Sequence, residues 1–408
     1  MQSIRELYKV GNGPSSSHTM GPKKASEMFR DKHKNATRFE VVLYGSLALT
    51  GKGHLTDKVI LDVFQGHELN IIFDTEKECN IHPNTLDFIA YNGDTQIEIW
   101  TVYSVGGGTI QIEGQAQVDV PDVYPHTKLS DIMKYCDENK LKLEDYVYEV
   151  EGEDIKDFLA EVWKEMKNSV ERGISTEGII PGKLGIERKA KYLYEKEIEN
   201  ETPEFKQNRI VNSYAYAVAE ENACGGVIVT APTCGASGVV PATLYYVQER
   251  FEYTDEEIID GLAVAGLLGT LIKENASISG AECGCQAEIG SACSMAAGAY
   301  SSLRGLDANA IECAAEIAME HHLGLTCDPI YGYVQIPCIE RNAVGSTRAI
   351  QASDMSVLLS GSAKISFDMV IETMYETGKD LNEHYRETST GGLAKKYCRN
   401  KFYNEDVE

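Results

Sequence analysis

No apolar stretch in the 408 residues is long enough to cross a bilayer. The longest run of small apolar residues, 261–272 (GLAVAGLLGTLI), fills twelve positions between Asp260 and Lys273, against roughly 20 for a spanning helix. It predicts a buried helix. Basic residues are scarce as well: 38 Lys and Arg stand against 63 Asp and Glu, a net charge of -25. That balance argues against a sequence-independent grip on nucleic acid or an anionic membrane, so the expected partner is a small molecule. The opening MQSIRELYKVGNG lacks the apolar core of a secretion signal, and the expected compartment is the cytoplasm. There is no repeat at a fixed period and no low-complexity segment. What is present is ordinary for a folded protein, with 43% hydrophobic and 25% charged residues. The length suits about two to three domains. The unusual feature is cysteine, 11 in number, nine of them after residue 220. An odd count in a reducing compartment does not read as a disulfide framework.

From Arg38 to about Gly114 the segments RFEVVLYGSLAL, HELNIIFD, TLDFIAY and TQIEIWTVYSV are β-branched or aromatic and bounded by turn residues, the pattern of strands. Asn92-Gly93-Asp94 predicts a hairpin turn. Ahead of them, Gly11-Asn12-Gly13-Pro14 should stop a short opening helix, and a second helix is expected from about Thr19 through GPKKASEMFRDK. After about Leu129 helical periodicity takes over, as in EDIKDFLAEVWKEMKNSVERG, NSYAYAVAEENA and SFDMVIETMYETGKDLN. Thr254 with Glu257 forms a capping-box signature, Asp307 sits at an N-cap position, and Gly324 is placed to stop the helix that Asp307 begins. The fold class is therefore multidomain: an α+β domain over residues 1–125, then a mainly α-helical domain over 126–408. Residues 115–124 form the connection.

Six cysteines lie between Cys283 and Cys338. Cys293 and Cys313 sit in Ala-rich helical stretches and read as small hydrophobes. Cys285, Cys327 and Cys338 instead neighbour Gly or Pro, on irregular backbone able to aim several thiolates at one point. Their spacing matches neither a zinc ribbon nor a bacterial ferredoxin run, so spacing alone leaves the metal open. Three thiolates on a four-iron cluster would leave one iron free as a Lewis acid. Near the start, Ser15-Ser16-Ser17-His18-Thr19 precedes a helix and offers hydroxyls, backbone N–H groups and an imidazole to an anion, although a Ser-rich cap has the same composition. His54, in GKGHLTD, is a loop histidine with a pKa suited to proton transfer, or simply a solvated one. His321 and His322 end a helix, where a cation complements the dipole. Gly106-Gly107-Gly108-Thr109 lies between strands and fits no phosphate-binding fingerprint.

Together these segments resemble the iron-sulfur L-serine dehydratases, in the form that fuses the β and α parts in one chain. GPSSSHTMGP, YGSLALTGKGHLTD, HPNTL, YNGD and SVGGGTI are similar to the β part. STEGIIPG, GGVIVTAPTCGASGVVPA, ENASISGAECGCQAEIGSACSMAAGA, EHHLGLTCDPIYGYVQIPCIERNA and YRETSTGGLA are similar to the α part. The resemblance covers nearly the whole chain. It implies a [4Fe-4S] cluster held by Cys285, Cys327 and Cys338, with Cys398, shortly after GGLA, as a removable cap on the open iron. Ten residues follow Cys398, a departure from the family pattern. Cys283 is a second departure, a competing thiol two positions from a ligand. The stretch between GKGHLTD and YNGD is short for the family, so a regulatory element there is expected to be missing.

The implied reaction converts L-serine to pyruvate and ammonia in a cytoplasmic homodimer. His54 is the first choice for the base that takes the α-proton, with His18 second as proton donor or carboxylate ligand. Ser15, Ser16, Ser17 and Thr19 are expected to orient the substrate carboxylate, and Asn275, Ser277 and Ser279 to contact substrate. Two rivals remain. A pyridoxal phosphate lyase would need a Schiff-base lysine and a phosphate-binding Gly loop, a pair this sequence does not show. A zinc-stabilised binding module would need four closed ligands and no function for the N-terminal motifs.

Overall fold

The computed structural model describes residues 1–77, 81–115 and 120–399. After a 3-10 turn (Ile4–Glu6) and the short strand β1 (Val10–Asn12), a wide turn (Ser16–Met20) leads into α1 (Gly21–Lys32). Next come β2 (Arg38–Tyr44), α2 (Gly45–Thr50), α3 (Thr56–Val63), β3 (Glu68–Asp74), β4 (Thr85–Asn92), β5 (Thr95–Gly106) and β6 (Thr109–Ile112). The rest is helical: α4 (Leu129–Asn139), α5 (Leu143–Glu151), α6 (Ile155–Ser175), α7 (Ala190–Glu195) and α8 (Pro203–Ala223). After the strand β7 (Val227–Val229) come α9 (Val239–Phe251), α10 (Asp255–Asn275), α11 (Gly280–Cys283), α12 (Ser291–Leu303) and α13 (Ala308–Glu320). The last are α14 (Cys338–Leu359), α15 (Phe367–Asp380) and α16 (Gly392–Arg399).

Strands β2 to β6 form one sheet in the order β3-β2-β4-β5-β6, parallel between β2 and β3 and antiparallel elsewhere. Alternation decides which face is buried. Phe39, Val41 and Leu43 of β2, with Leu86, Phe88 and Ala90 of β4, point at Phe29 of α1 and Ile60 of α3 and close a core of their own. The hairpin at Gly93 forms as expected, with Gly93 at φ +58°. One segment differs: the strand expected over RFEVVLYGSLAL ends at Tyr44, because Gly45 at φ +50° turns the chain into α2.

The second core is built on α10 and α12. Every residue from 261 to 272 is buried, so the apolar run is the central helix the sequence predicts. Small residues let the two helices approach: a Cβ on Gly298 would lie 2.2 Å from Leu268 Cδ1. The capping box is formed, Thr254 Oγ1 accepting from Glu257 N at 3.2 Å and Glu257 Oε2 from Thr254 N at 2.8 Å. Thr254→Ala is expected to lower stability by about 1 kcal/mol, read as a shift of the urea midpoint at unchanged slope. Asp307 caps α13 as expected, but that helix ends at Glu320, four residues short of Gly324. There His321 and His322 donate from Nδ1 to the carbonyls of Ile317 and Ala318. Burial pushes His322 down to about 4, so it caps as a neutral donor rather than as the cation expected from the dipole.

The first residues belong to the helical core. Met1, Ile4, Leu7 and Tyr8 are buried in it, Tyr8 Oη donating to Leu262 O at 2.9 Å. β1 pairs antiparallel with β7, Val10 opposite Val229. The chain thus starts on the helical unit, crosses to the sheet at the serine-rich turn, and returns after β6.

Candidate active site

Three of the cysteines converge at the seam between the units. Cys285 follows Gly284, at φ +72°, and precedes the wide helical turn Gln286–Gly290. Cys338 is the first residue of α14. Cys327 sits in a loop braced by a short ladder: its N–H donates to Tyr385 O at 2.7 Å, and its carbonyl accepts from Glu387 N at 2.8 Å. All three are buried. The Cys327 thiol bonded to Cys285, aided by the Arg341 guanidinium, draws Cys285 down to about 6 against the effect of burial. The same contact and burial raise Cys327, and burial raises Cys338. Helix starts and a nearby cation are the setting in which thiolates ligate metals.

Three buried thiols are a donor set compatible with an iron-sulfur cluster. A tetrahedral zinc site holds its sulfurs about 3.8 Å apart. Among the described residues, the one group of three such ligands with atoms mutually within 4.8 Å is His18, His54 and Glu387. The three thiols are therefore not all within that distance of one another, although Cys285 and Cys327 are in hydrogen-bonding contact. Gly280 gives them room, since a Cβ there would lie 3.2 Å from Cys327 Sγ and 2.8 Å from Glu288 Oε2. Other cysteines point elsewhere. Cys283, expected to compete, is packed beneath Gly378, where a Cβ would meet its own at 2.5 Å. Cys293 donates to Gly345 O, and Cys313 is buried in α13. Cys398 lies exposed on α16, against Tyr331, and is not in the wall of the cavity described next. Cys79 lies outside the described residues.

A cavity of about 310 Å³ opens beside these thiols, lined by Cys327 and Cys338 on one side and by Ser15, Ser16, Ser17 and His54 on the other. His54 is fully buried. Its Nδ1 donates to Thr50 O at 3.0 Å, which in the neutral ring leaves the lone pair on Nε2. That Nε2 has no hydrogen-bond partner and stands 3.6 Å from Glu387 Oε1, an ion-pair contact wider than a hydrogen bond. Burial acts to raise the Glu387 carboxyl, but His54 and then His18 outweigh it and hold it below the usual range. Glu387 and Ser389 both adopt positive φ, +59° and +56°, conformations that cost non-glycine residues and recur at functional sites. His18 stacks on His54 with ring centroids 4.4 Å apart. Burial first, and His54 second, push His18 down to about 3, so it is neutral, held by Ser17 Oγ at 3.0 Å and Ser46 Oγ at 2.9 Å.

The other expected contacts divide. Ser277 and Ser279 line the cavity. Asn275 does not; its amide donates to Leu271 O and Thr127 O. Thr19 is buried behind the wall, where its hydroxyl donates to His54 O at 2.7 Å and fixes the His54 backbone. The glycines of 106–108, unassigned from sequence, form the β5–β6 turn, and Gly106, Gly107 and Thr109 overhang the cavity. Sequence reading also missed Glu387, Glu288 and Lys273. Glu288 accepts from Thr233 Oγ1 at 2.7 Å, and burial holds its carboxyl well above the usual range. Glu387 lies in the block YRETSTGGLA, whose match to the α part was the available signal.

Comparison with known proteins decides the family. The serine dehydratase beta chain model matches residues 3–70 and the serine dehydratase alpha chain model residues 65–394. The chain belongs to the serine dehydratase family. L-serine dehydratase 2 of Escherichia coli (strain K12) is 42% identical, over 97% of this chain and 99% of its own. The L-serine dehydratase of Haemophilus influenzae is also 42% identical, over 98% and 100%. That of Streptomyces coelicolor is 39% identical, over 96% and 98%. The E. coli alignment spans 452 positions against 408 residues here, so that serine dehydratase carries extra residues. No helix among the described residues is long and apolar enough to cross a membrane.

Proposed function

We propose that the protein is an L-serine ammonia-lyase, converting L-serine to pyruvate and ammonia, with Cys285, Cys327 and Cys338 holding a [4Fe-4S] cluster. The observation that carries this reading is that one cavity is lined by the buried thiols Cys327 and Cys338, with Cys285 against Cys327, and by the His54–Glu387 pair. When bound, the cluster supplies a Lewis-acidic iron that makes the β-hydroxyl a better leaving group. His54, with its Nε2 lone pair facing the cavity, takes the α-proton, and Glu387 stabilises the imidazolium that results. His18, neutral and stacked on His54, orients that ring. Ser15, Ser16 and Ser17 donate to the substrate carboxylate. The aminoacrylate left behind tautomerises and hydrolyses to pyruvate and ammonia without further help. Cys398 would have to leave its place against Tyr331 to reach the cavity as a cap.

Purification without oxygen, with measurement of iron, sulfide, zinc and pyridoxal phosphate, tests the reading alongside pyruvate release from L-serine. The expected result is iron and sulfide in the protein and activity that disappears in air. Full activity in an iron-free sample would overturn the cluster mechanism. Bound pyridoxal phosphate or stoichiometric zinc would favour one of the two rivals.

A further inference from the structure

We infer that Lys273 is the cationic contact for the substrate's α-carboxylate and so selects amino acids over their neutral derivatives. The inference rests on the proposed lyase reading and names the group that reads one end of its substrate. Lys273 stands in the last turn of α10 and lines the same cavity as Cys327, His54 and Ser15 to Ser17. It is the one lysine or arginine among the described residues of that wall.

Its ammonium is bonded to no carboxylate, although Glu6 and Glu274 attract it through space and Lys9 opposes them. Nζ donates to Gln2 Oε1 and to Glu6 O, both neutral acceptors and both at 3.3 Å. The nearby Glu6 carboxylate is taken by Lys9 at 2.8 Å. The three acids of the wall are each engaged elsewhere: Glu282 with Lys379, Glu288 with Thr233, and Glu387 with His54. A partly buried ammonium with no directly bonded counter-ion, facing a cavity, gains when an anion arrives. The serine turn offers hydroxyl and backbone donors but no charge, so a carboxylate spanning the two would gain a charge-assisted bond from Lys273 and neutral bonds from the turn. A purely structural role is the alternative, since the same two bonds tie α10 to the first turn of the chain.

Calorimetric titration of the anaerobic, cluster-loaded protein separates the two. L-alanine has no hydroxyl to lose, and L-alaninamide replaces its carboxylate with a neutral amide. Wild type should bind L-alanine at least about tenfold more tightly than the amide, the value of a hydrogen bond to a charged group. Lys273→Met should reduce that preference to less than about threefold. Lys273→Gln keeps a donor for Glu6 O while removing the charge, and should lose the preference equally. Lys273→Arg should keep most of it. An undiminished preference in the Gln variant, or none in wild type, would overturn the inference. Neither ligand is turned over, so the outcome is independent of pyruvate release, on which the proposed activity stands or falls.

Discussion

Replacing His54 with alanine is expected to reduce pyruvate formation by about 10²- to 10⁴-fold, the usual contribution of a positioned base. Iron content and visible absorbance should not change. The separation is possible because His54 has no direct contact with the three thiols proposed as cluster ligands. Its ring is fixed by Thr50 O, by stacking on His18 and by Glu387, whereas the thiols are supported by Arg341 and two helix starts. Wild-type turnover in His54→Ala would remove it from the role. A loss of iron in parallel with activity would show instead that the ring holds the site together.

Cys285→Ser is expected to have an effect at least as large, and through a different quantity. Iron and sulfide should fall together with turnover, the latter by about a hundredfold or more, since even partners of metal ligands are worth 10- to 100-fold in affinity. Cys285 is the thiol that Cys327 and Arg341 draw down to about 6. Cys293→Ser is the matched control: equally buried, but bonded to Gly345 O across a helix contact, and expected to leave iron content intact. Retention of iron in Cys285→Ser, checked by chemical analysis on protein with an unchanged melting temperature, would exclude that residue as a ligand.

Features encoded within a few residues could be read from the sequence. The alternation of Phe39, Val41 and Leu43, the Thr254–Glu257 box and the run at 261–272 each appear where expected, because period, cap and length are local. Cys285, Cys327 and Cys338 were separable from the mid-helix cysteines for the same reason, since flanking Gly and Pro mark loops and element ends; Cys338 proves to open α14 rather than to lie in a loop. RFEVVLYGSLAL shows where local reading fails: β-propensity continues past Tyr44, but a glycine at positive φ ends the strand. Glu387, Glu288 and Lys273 were not legible because their significance lies in what the fold brings against them. Glu387 is an ordinary acid until it meets His54, 333 positions away in sequence. Asn275 failed in the opposite way, being close to the ligands in sequence yet turned to Thr127.

The path of the chain between the units has a mechanical consequence. One linker would let the sheet unit swing in any direction, but here the backbone passes from the helical core to the sheet at residues 13–20 and back between Ile112 and Tyr124. Two pivots define a single axis. Rotation about it leaves nearby atoms almost still and sweeps distant ones through long arcs. The turn carrying Ser15 to His18 is itself one crossing, and the end of β5 and the glycine-rich turn after it lean on that crossing, Ser104 Oγ donating to Ser17 O at 2.6 Å and a Cβ on Gly108 lying 3.4 Å from Met20 Cβ, so both stay in register with the helical wall. The sheet-unit side of the cavity wall is thereby the part of that unit tied most directly to the helical one.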